Sequence, residues 1–175
     1  DMVIEGEHEG LTEFPSIVAG PVEEQIAESI VDRMTNGACI QLGVGGMPDA
    51  IGKLIAESEL KDLGIHTELL VNAYLDMHKA GKITNLNKHD IMRGKSVFSI
   101  AHGTKELFEW VSDNPSMCCA PINYVNDLSV IGEIDNFVSI NSCIAVDLFG
   151  QISAESAGTR HISGTGGQLD FLTAG

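Results

Sequence analysis

Three times between residues 38 and 111 a short apolar run is followed by a stretch whose apolar residues recur at helical spacing. Ala38–Leu42 leads to a segment with Ile51, Leu54 and Ile55, Ile65–Val71 leads into 72–80, and Lys95–Ala101 leads into Glu106–Val111. A strand covered on both faces reads as a continuous apolar run, and a helix crossing back over it lets the next strand lie parallel to the last. The pattern predicts an α/β domain: a mostly parallel sheet flanked by helices. Pro21 suits the first position of a helix carrying Ile26, Ile30, Val31 and Met34, which Asn36-Gly37 would close; Pro48 is expected to open the next one. Ser116–Ala120 reads as a further strand, and Phe137–Val146 with Gln151–Ser156 as a hairpin-like pair around Gly150. Residues 1–20, punctuated by Gly6, Gly10, Pro15 and Gly20, read as a linker or strap ahead of a domain at 21–175, with Glu5–Glu13 solvated.

Composition narrows the partners. Lys and Arg number 10 against 25 Asp and Glu, a net charge of −15, and both nucleic acid and anionic membranes require a basic surface. No apolar run is long enough to cross a bilayer, and the acidic start Asp1–Glu7 lacks the basic-then-apolar layout of a signal peptide. The expectation is a cytoplasmic protein with neither a nucleic-acid nor a membrane partner. Cys39, Cys118, Cys119 and Cys143 form no CxxC and read as buried, reduced thiols. His8, His78, His89, His102 and His161 show no metal-ligand spacing, so no metal is expected. Met77, Met92 and Met117 read as core, as do Phe108 and Trp110 packing against the sheet.

Three segments could carry chemistry. The loop Gly43-Val44-Gly45-Gly46-Met47 falls after a strand and before a helix, where main-chain N–H groups can meet an anion; it is neither a dinucleotide fingerprint nor a P-loop, and a tight structural turn is the alternative. Gly164-Thr165-Gly166-Gly167 is a second loop of this kind. In Ile65–Val71, alternation puts Ile65, Thr67, Leu69 and Val71 on one face and His66, Glu68 and Leu70 on the other. A carboxylate in such a strand either meets solvent at the strand end or is paired and used. His66, sharing its face, is a candidate positioning residue.

Together Leu42–Ala50, His66-Thr67-Glu68, Tyr124–Asp127, Val138–Ser142 and Gly164–Phe171 resemble the acetyl-CoA hydrolase/transferase branch of the family I CoA-transferases, nearest its 4-hydroxybutyrate and butyrate/acetate members, from about residue 20 onward. The resemblance implies a CoA-transferase-type α/β domain, with Glu68 as the nucleophile that forms first an acyl-glutamyl anhydride and then a glutamyl-CoA thioester. It also implies CoA-binding roles for Gly43, Val44, Gly45, Gly46 and Met47, for Gly164, Gly166 and Gly167, for Ile144, and for Asn126 near the thioester. Coenzyme A is then substrate and covalent intermediate, and the partners are an acyl-CoA and a short-chain carboxylic acid, with a homo-oligomer compatible. Glycine-loop amides are expected to hold much of the phosphate. The resemblance covers the family's C-terminal catalytic half, the N-terminal half and extreme C-terminus being absent from the match. The alternatives are an acyl-CoA hydrolase using the same glutamate, a non-catalytic CoA-binding domain, and an isomerase-like domain with Glu68 as general base.

Overall fold

The computed structural model describes Met2, Glu5, Gly6 and residues 10–175, so His8 and part of the Glu5–Glu13 run lie outside the described residues. The elements run α1 (Pro21–Val31), β1 (Cys39–Leu42), α2 (Gly46–Glu57), β2 (Gly64–Leu70), α3 (Asn72–Lys79), β3 (Ser96–Ala101), α4 (Lys105–Val111), β4 (Met117–Cys119), α5 (Ile122–Val125), α6 (Leu128–Gly132), β5 (Phe137–Ile140), β6 (Ala145–Val146), β7 (Ile152–Ser153), β8 (Ser156–Ala157), β9 (Arg160–His161) and α7 (Gln168–Ala174). β1 to β5 form one parallel sheet in the order β4-β3-β2-β1-β5. The three strand–helix units thus build the sheet outward from β1, and the chain then returns to place β5 on β1's other side.

Two apolar layers follow from strand alternation. Ile65, Ile40 and Phe98 belong to the larger core with Ile51 and Ile55 of α2 and Tyr74 and Met77 of α3. The α2–α3 contact is close because Gly52 lies against Ala73, where a Cβ would meet Ala73 Cβ at 2.5 Å. On the opposite face Val97, Val125, Ile131 and Phe171 form a smaller core under α5, α6 and α7.

Several local expectations shift. α2 starts at Gly46, two residues before Pro48, because Gly45 adopts φ +120°, a conformation open to glycine, and turns the chain early. Pro48 still fits, since a first-turn residue has no intrahelical N–H bond to lose. The run Phe137–Val146 is not one arm of a hairpin: Phe137–Ile140 pairs in parallel with Cys39–Leu42, and the hairpin is made by β6 and β7. Of the cysteines only Cys39 is buried, while Cys119 and Cys143 are exposed. Met92 is 38% exposed, on a turn with φ +50°, rather than in the core. Trp110 stacks on His78, with ring centroids 4.7 Å apart.

Residues 13–17 have no regular structure yet are tied across the carboxyl ends of the strands. Phe14 N donates to Gly103 O at 2.9 Å, and Phe14 O accepts from Asn72 Nδ2 at 3.1 Å. The Phe14 ring stacks on His102 at 3.9 Å, and Ile17 N donates to Asp49 Oδ2 at 2.7 Å. No helix among the described residues is long and apolar enough to cross a membrane.

Candidate active site

In a parallel sheet of this kind ligands collect beyond the carboxyl ends of the strands, near the point where strand order reverses. Here that point is β1, flanked by β2 and β5. β1 pairs with β5 through Leu42↔Ile140, but with β2 only at Cys39↔Gly64 and Ile40↔Ile65. Beyond Ile40 the two strands part, and Leu42 N donates to the buried Tyr74 hydroxyl at 2.7 Å instead of to a strand carbonyl. Burial pushes the Tyr74 hydroxyl above its usual range, so it stays protonated. Glu68 projects from the part of β2 that has lost its β1 partner.

The Glu68 side chain is half-buried and faces α5 and α7. Its Oε2 accepts from Asn126 Nδ2 at 2.7 Å. Asn126 follows α5 directly, and the same Nδ2 lies 3.5 Å from Asp170 Oδ2 in the first turn of α7. Gly167, the residue before α7, presses its backbone onto this group: a Cβ there would stand 1.9 Å from Glu68 Oε2 and 2.4 Å from Asn126 Nδ2. Gly166 is next to it, with a Cβ position 3.9 Å from Glu68 Oε1. The result is a carboxylate set against a glycine backbone and an amide donor.

His66 fixes this corner from below. It is fully buried, among the rings of Tyr124, Phe137 and Phe171. Its Nε2 lies 2.8 Å from Val125 O, so the proton sits on Nε2 and the ring donates to the peptide group that leads into Asn126. Burial, partly opposed by that hydrogen bond, pulls His66 down to about 4. It is therefore a neutral donor at pH 7, not a base. Because the folded-state value lies below the ordinary 6.5, protons bind the unfolded chain more strongly. The contribution of neutral His66 to stability is complete above 6.5 and is lost as pH falls through about 4, up to about 3 kcal/mol. Urea unfolding at pH 7 and pH 4 is expected to show this loss in the wild type and a clearly smaller one in His66→Gln. A pH dependence unchanged by the substitution would show that His66 does not titrate in this way.

The Gly43–Met47 loop lies at the strand-order reversal. Gly43 N donates to Ile140 O at 2.9 Å, and a Cβ on Gly43 would stand 3.3 Å from Asn141 Oδ1. Asn141 is held by Gln41, whose Oε1 accepts from Asn141 Nδ2 at 2.8 Å and from Ser139 Oγ at 2.7 Å. Gly45 and Val44 line a cavity of about 200 Å³ with Phe14, Val71 and His102. Gly164 lies apart from Glu68, in a cleft of about 400 Å³ with Gly166, Ser163 and Gln168. Ile144 is half-exposed at the base of the β6–β7 hairpin, its N–H bonded to Ser153 O. The structure thus brings Glu68, Asn126, Gly166 and Gly167 into one cluster. It does not join Gly43–Met47, Gly164 or Ile144 to that cluster, since Val44 and Gly45 line another cavity, Gly164 has no neighbour within 4 Å of its Cβ position, and Ile144 is bonded to the β6–β7 hairpin. Asp170 was not singled out from the sequence, its visible signal being a carboxylate three residues after Gly167. Among the described residues no group of three or more His, Cys, Asp or Glu is placed to hold a metal ion.

Residues 103–175 match the acetyl-CoA hydrolase/transferase C-terminal domain. The chain is 52% identical to the butyryl-CoA:acetate CoA-transferase of Anaerostipes caccae over 98% of its length, covering 39% of that protein. The structure of RipA from Yersinia pestis aligns over 96% of this chain and 36% of its own, at TM-score 0.84 and 38% identity. A 4-hydroxybutyrate CoA-transferase from Porphyromonas gingivalis aligns over 91% of this chain and 37% of its own, at TM-score 0.76 and 36% identity. The chain therefore spans about two fifths of the length of the relatives it matches. With its parallel sheet and this degree of similarity, the chain belongs to the acetyl-CoA hydrolase/transferase family, close to its CoA-transferases.

Proposed function

We propose that this chain supplies the nucleophile of a CoA-transferase that moves CoA between an acyl-CoA and a short-chain carboxylate of the butyrate, acetate or 4-hydroxybutyrate kind. The observation that carries the reading is Glu68, whose carboxylate is held at 2.7 Å by Asn126 Nδ2 and backed by Gly167 where β1 and β2 part. A Glu68 oxygen attacks the thioester carbonyl, the C–S bond breaks, and CoA leaves as thiolate with an acyl-glutamyl anhydride behind it. The thiolate attacks the glutamyl carbonyl and expels the first carboxylate, giving glutamyl-CoA. The incoming carboxylate reverses the two steps and frees Glu68. Each step exchanges a carboxylate for a thiolate, so no proton has to move. A neutral, buried His66 suits such chemistry.

In this reading Asn126 Nδ2 and the Gly167 main chain face the oxyanions of the tetrahedral states. Gly43, Val44, Gly45, Gly46 and Met47, together with Gly164, Gly166 and Ile144, contact CoA. The catalytic domain occupies residues 21–175, with 1–20 as a strap ahead of it, and the protein works in the cytoplasm, where its four free thiols stay reduced. The test supplies the full-length protein with butyryl-CoA and deuterated acetate. Labelled acetyl-CoA should form at the rate butyrate is released. Butyrate and free CoA without labelled acetyl-CoA would make the protein a hydrolase, and no turnover of butyryl-CoA with CoA still bound would make it a binding module.

A further inference from the structure

Asn126 is in an unusual position for a side-chain amide. Its Nδ2 faces two carboxylates, Glu68 Oε2 at 2.7 Å and Asp170 Oδ2 at 3.5 Å, while its Oδ1 is buried with no hydrogen-bond partner. Nothing on the oxygen side fixes the amide, so its orientation is set by what the nitrogen faces. Turned over, the amide would point its oxygen at two carboxylates and leave its N–H groups without acceptors. An amide has two N–H bonds, one for each carboxylate.

We propose that Asp170 is a positioning residue that acts through Asn126 and keeps its amide aimed at Glu68 while Glu68 is acylated. The inference rests on Glu68 being the nucleophile. In the resting site the ionised Glu68 itself holds the amide by a charge-assisted hydrogen bond. Once Glu68 is an anhydride or a CoA thioester, that charge is gone and the bond to it weakens. This is the stage at which the glutamyl carbonyl needs a donor, because the next attack turns its oxygen into an oxyanion. Asp170 takes no part in the exchange and keeps its charge throughout, so it holds the second N–H and leaves the first directed at the glutamyl oxygen.

The backbone makes Asp170 a stable reference point. It sits three residues after Gly167, which is packed on Glu68, and its neighbour Phe171 is fully buried and stacked on Phe137 with centroids 6.1 Å apart. A purely structural role exists for an acid in a helix's first turn, since it complements the helix dipole. That role affects stability alone. Positioning Asn126 affects how fast the covalent intermediate is discharged.

The test compares wild type with Asp170→Asn and Asp170→Glu in the full-length protein, supplied with butyryl-CoA and acetate. Three quantities are read: the exchange rate, the rate at which acetate discharges a preformed CoA adduct from the Glu68 peptide by mass spectrometry, and the melting temperature. Asp170→Asn is expected to exchange about tenfold more slowly, as for loss of one orienting hydrogen bond. Acetate should discharge its glutamyl-CoA about tenfold more slowly than in wild type, at a similar melting temperature, and Asp170→Glu should recover part of the rate. Exchange and discharge rates equal to wild type in Asp170→Asn, slower exchange with discharge at the wild-type rate, or a loss accounted for by unfolding would each overturn the assignment. A wild-type protein that turns over with no adduct at all would remove the Glu68 reading, and this one with it.

Discussion

Glu68→Gln is expected to lower CoA transfer by at least about ten-thousandfold, the scale on which loss of a covalent nucleophile registers. The amide matches the carboxylate in size, and its oxygen can still accept from Asn126 Nδ2, so the contacts that hold the β2 end survive. It lacks the anionic oxygen that attacks a thioester, and it cannot form the anhydride. The expected result is therefore a folded protein with an unchanged melting temperature that still binds acyl-CoA and transfers nothing. Transfer within tenfold of wild type would rule out covalent catalysis by Glu68. Deamidation of the introduced glutamine during the assay would restore activity slowly, and a time course separates this from true activity.

Gly167→Ala is expected to reduce the exchange rate by about a hundredfold or more, although it adds one methyl group. The Gly167 backbone has φ −77° and ψ 1°, which alanine adopts readily, so backbone strain is not the cause. The methyl group would instead stand 1.9 Å from Glu68 Oε2 and 2.4 Å from Asn126 Nδ2. Real carbon atoms do not come this close, so the Glu68 carboxylate has to swing away and the 2.7 Å bond to Asn126 breaks. α7 is held mainly by Phe171, and the fold should persist. Steady-state kinetics with thermal melting checks this: a stable protein with a strongly reduced kcat is the expected outcome, and near-normal kcat would mean that Glu68 does not need the position seen here.

The sheet was legible because three strand–helix units each carry enough apolar residues to show their period. Where the elements shorten, the signal fades. α5 and α6 have four and five residues, too few for a helical period, and the acidic residue that starts α6, Asp127, capping Ser129 N and Val130 N, is the sole local cue. The Phe137–Val146 run reads as one strand because only the short polar pair Asn141-Ser142 marks the break after Ile140, where the parallel pairing with β1 ends.

The site was legible in part. A glutamate inside an apolar strand and two glycine loops could be read from the residues, and the resemblance joined them. Which glycine meets the carboxylate could not be read, because Gly164, Gly166 and Gly167 look alike in sequence and only Gly167 lies hard against Glu68. The partners of Asn126 are 58 and 44 residues away, and no local pattern reports contacts that tertiary structure alone brings together. The same holds for the parting of β1 from β2 beyond Ile40, which depends on Tyr74 taking the Leu42 N–H.

The most direct measurement is the mass of the peptide containing Glu68 after the full-length protein is mixed with acyl-CoA and quenched before acceptor acid is added. A CoA adduct on Glu68, absent in Glu68→Gln and discharged in a parallel sample given acetate before the quench, is the predicted result. An unmodified Glu68 peptide from a sample that demonstrably turns over would contradict it.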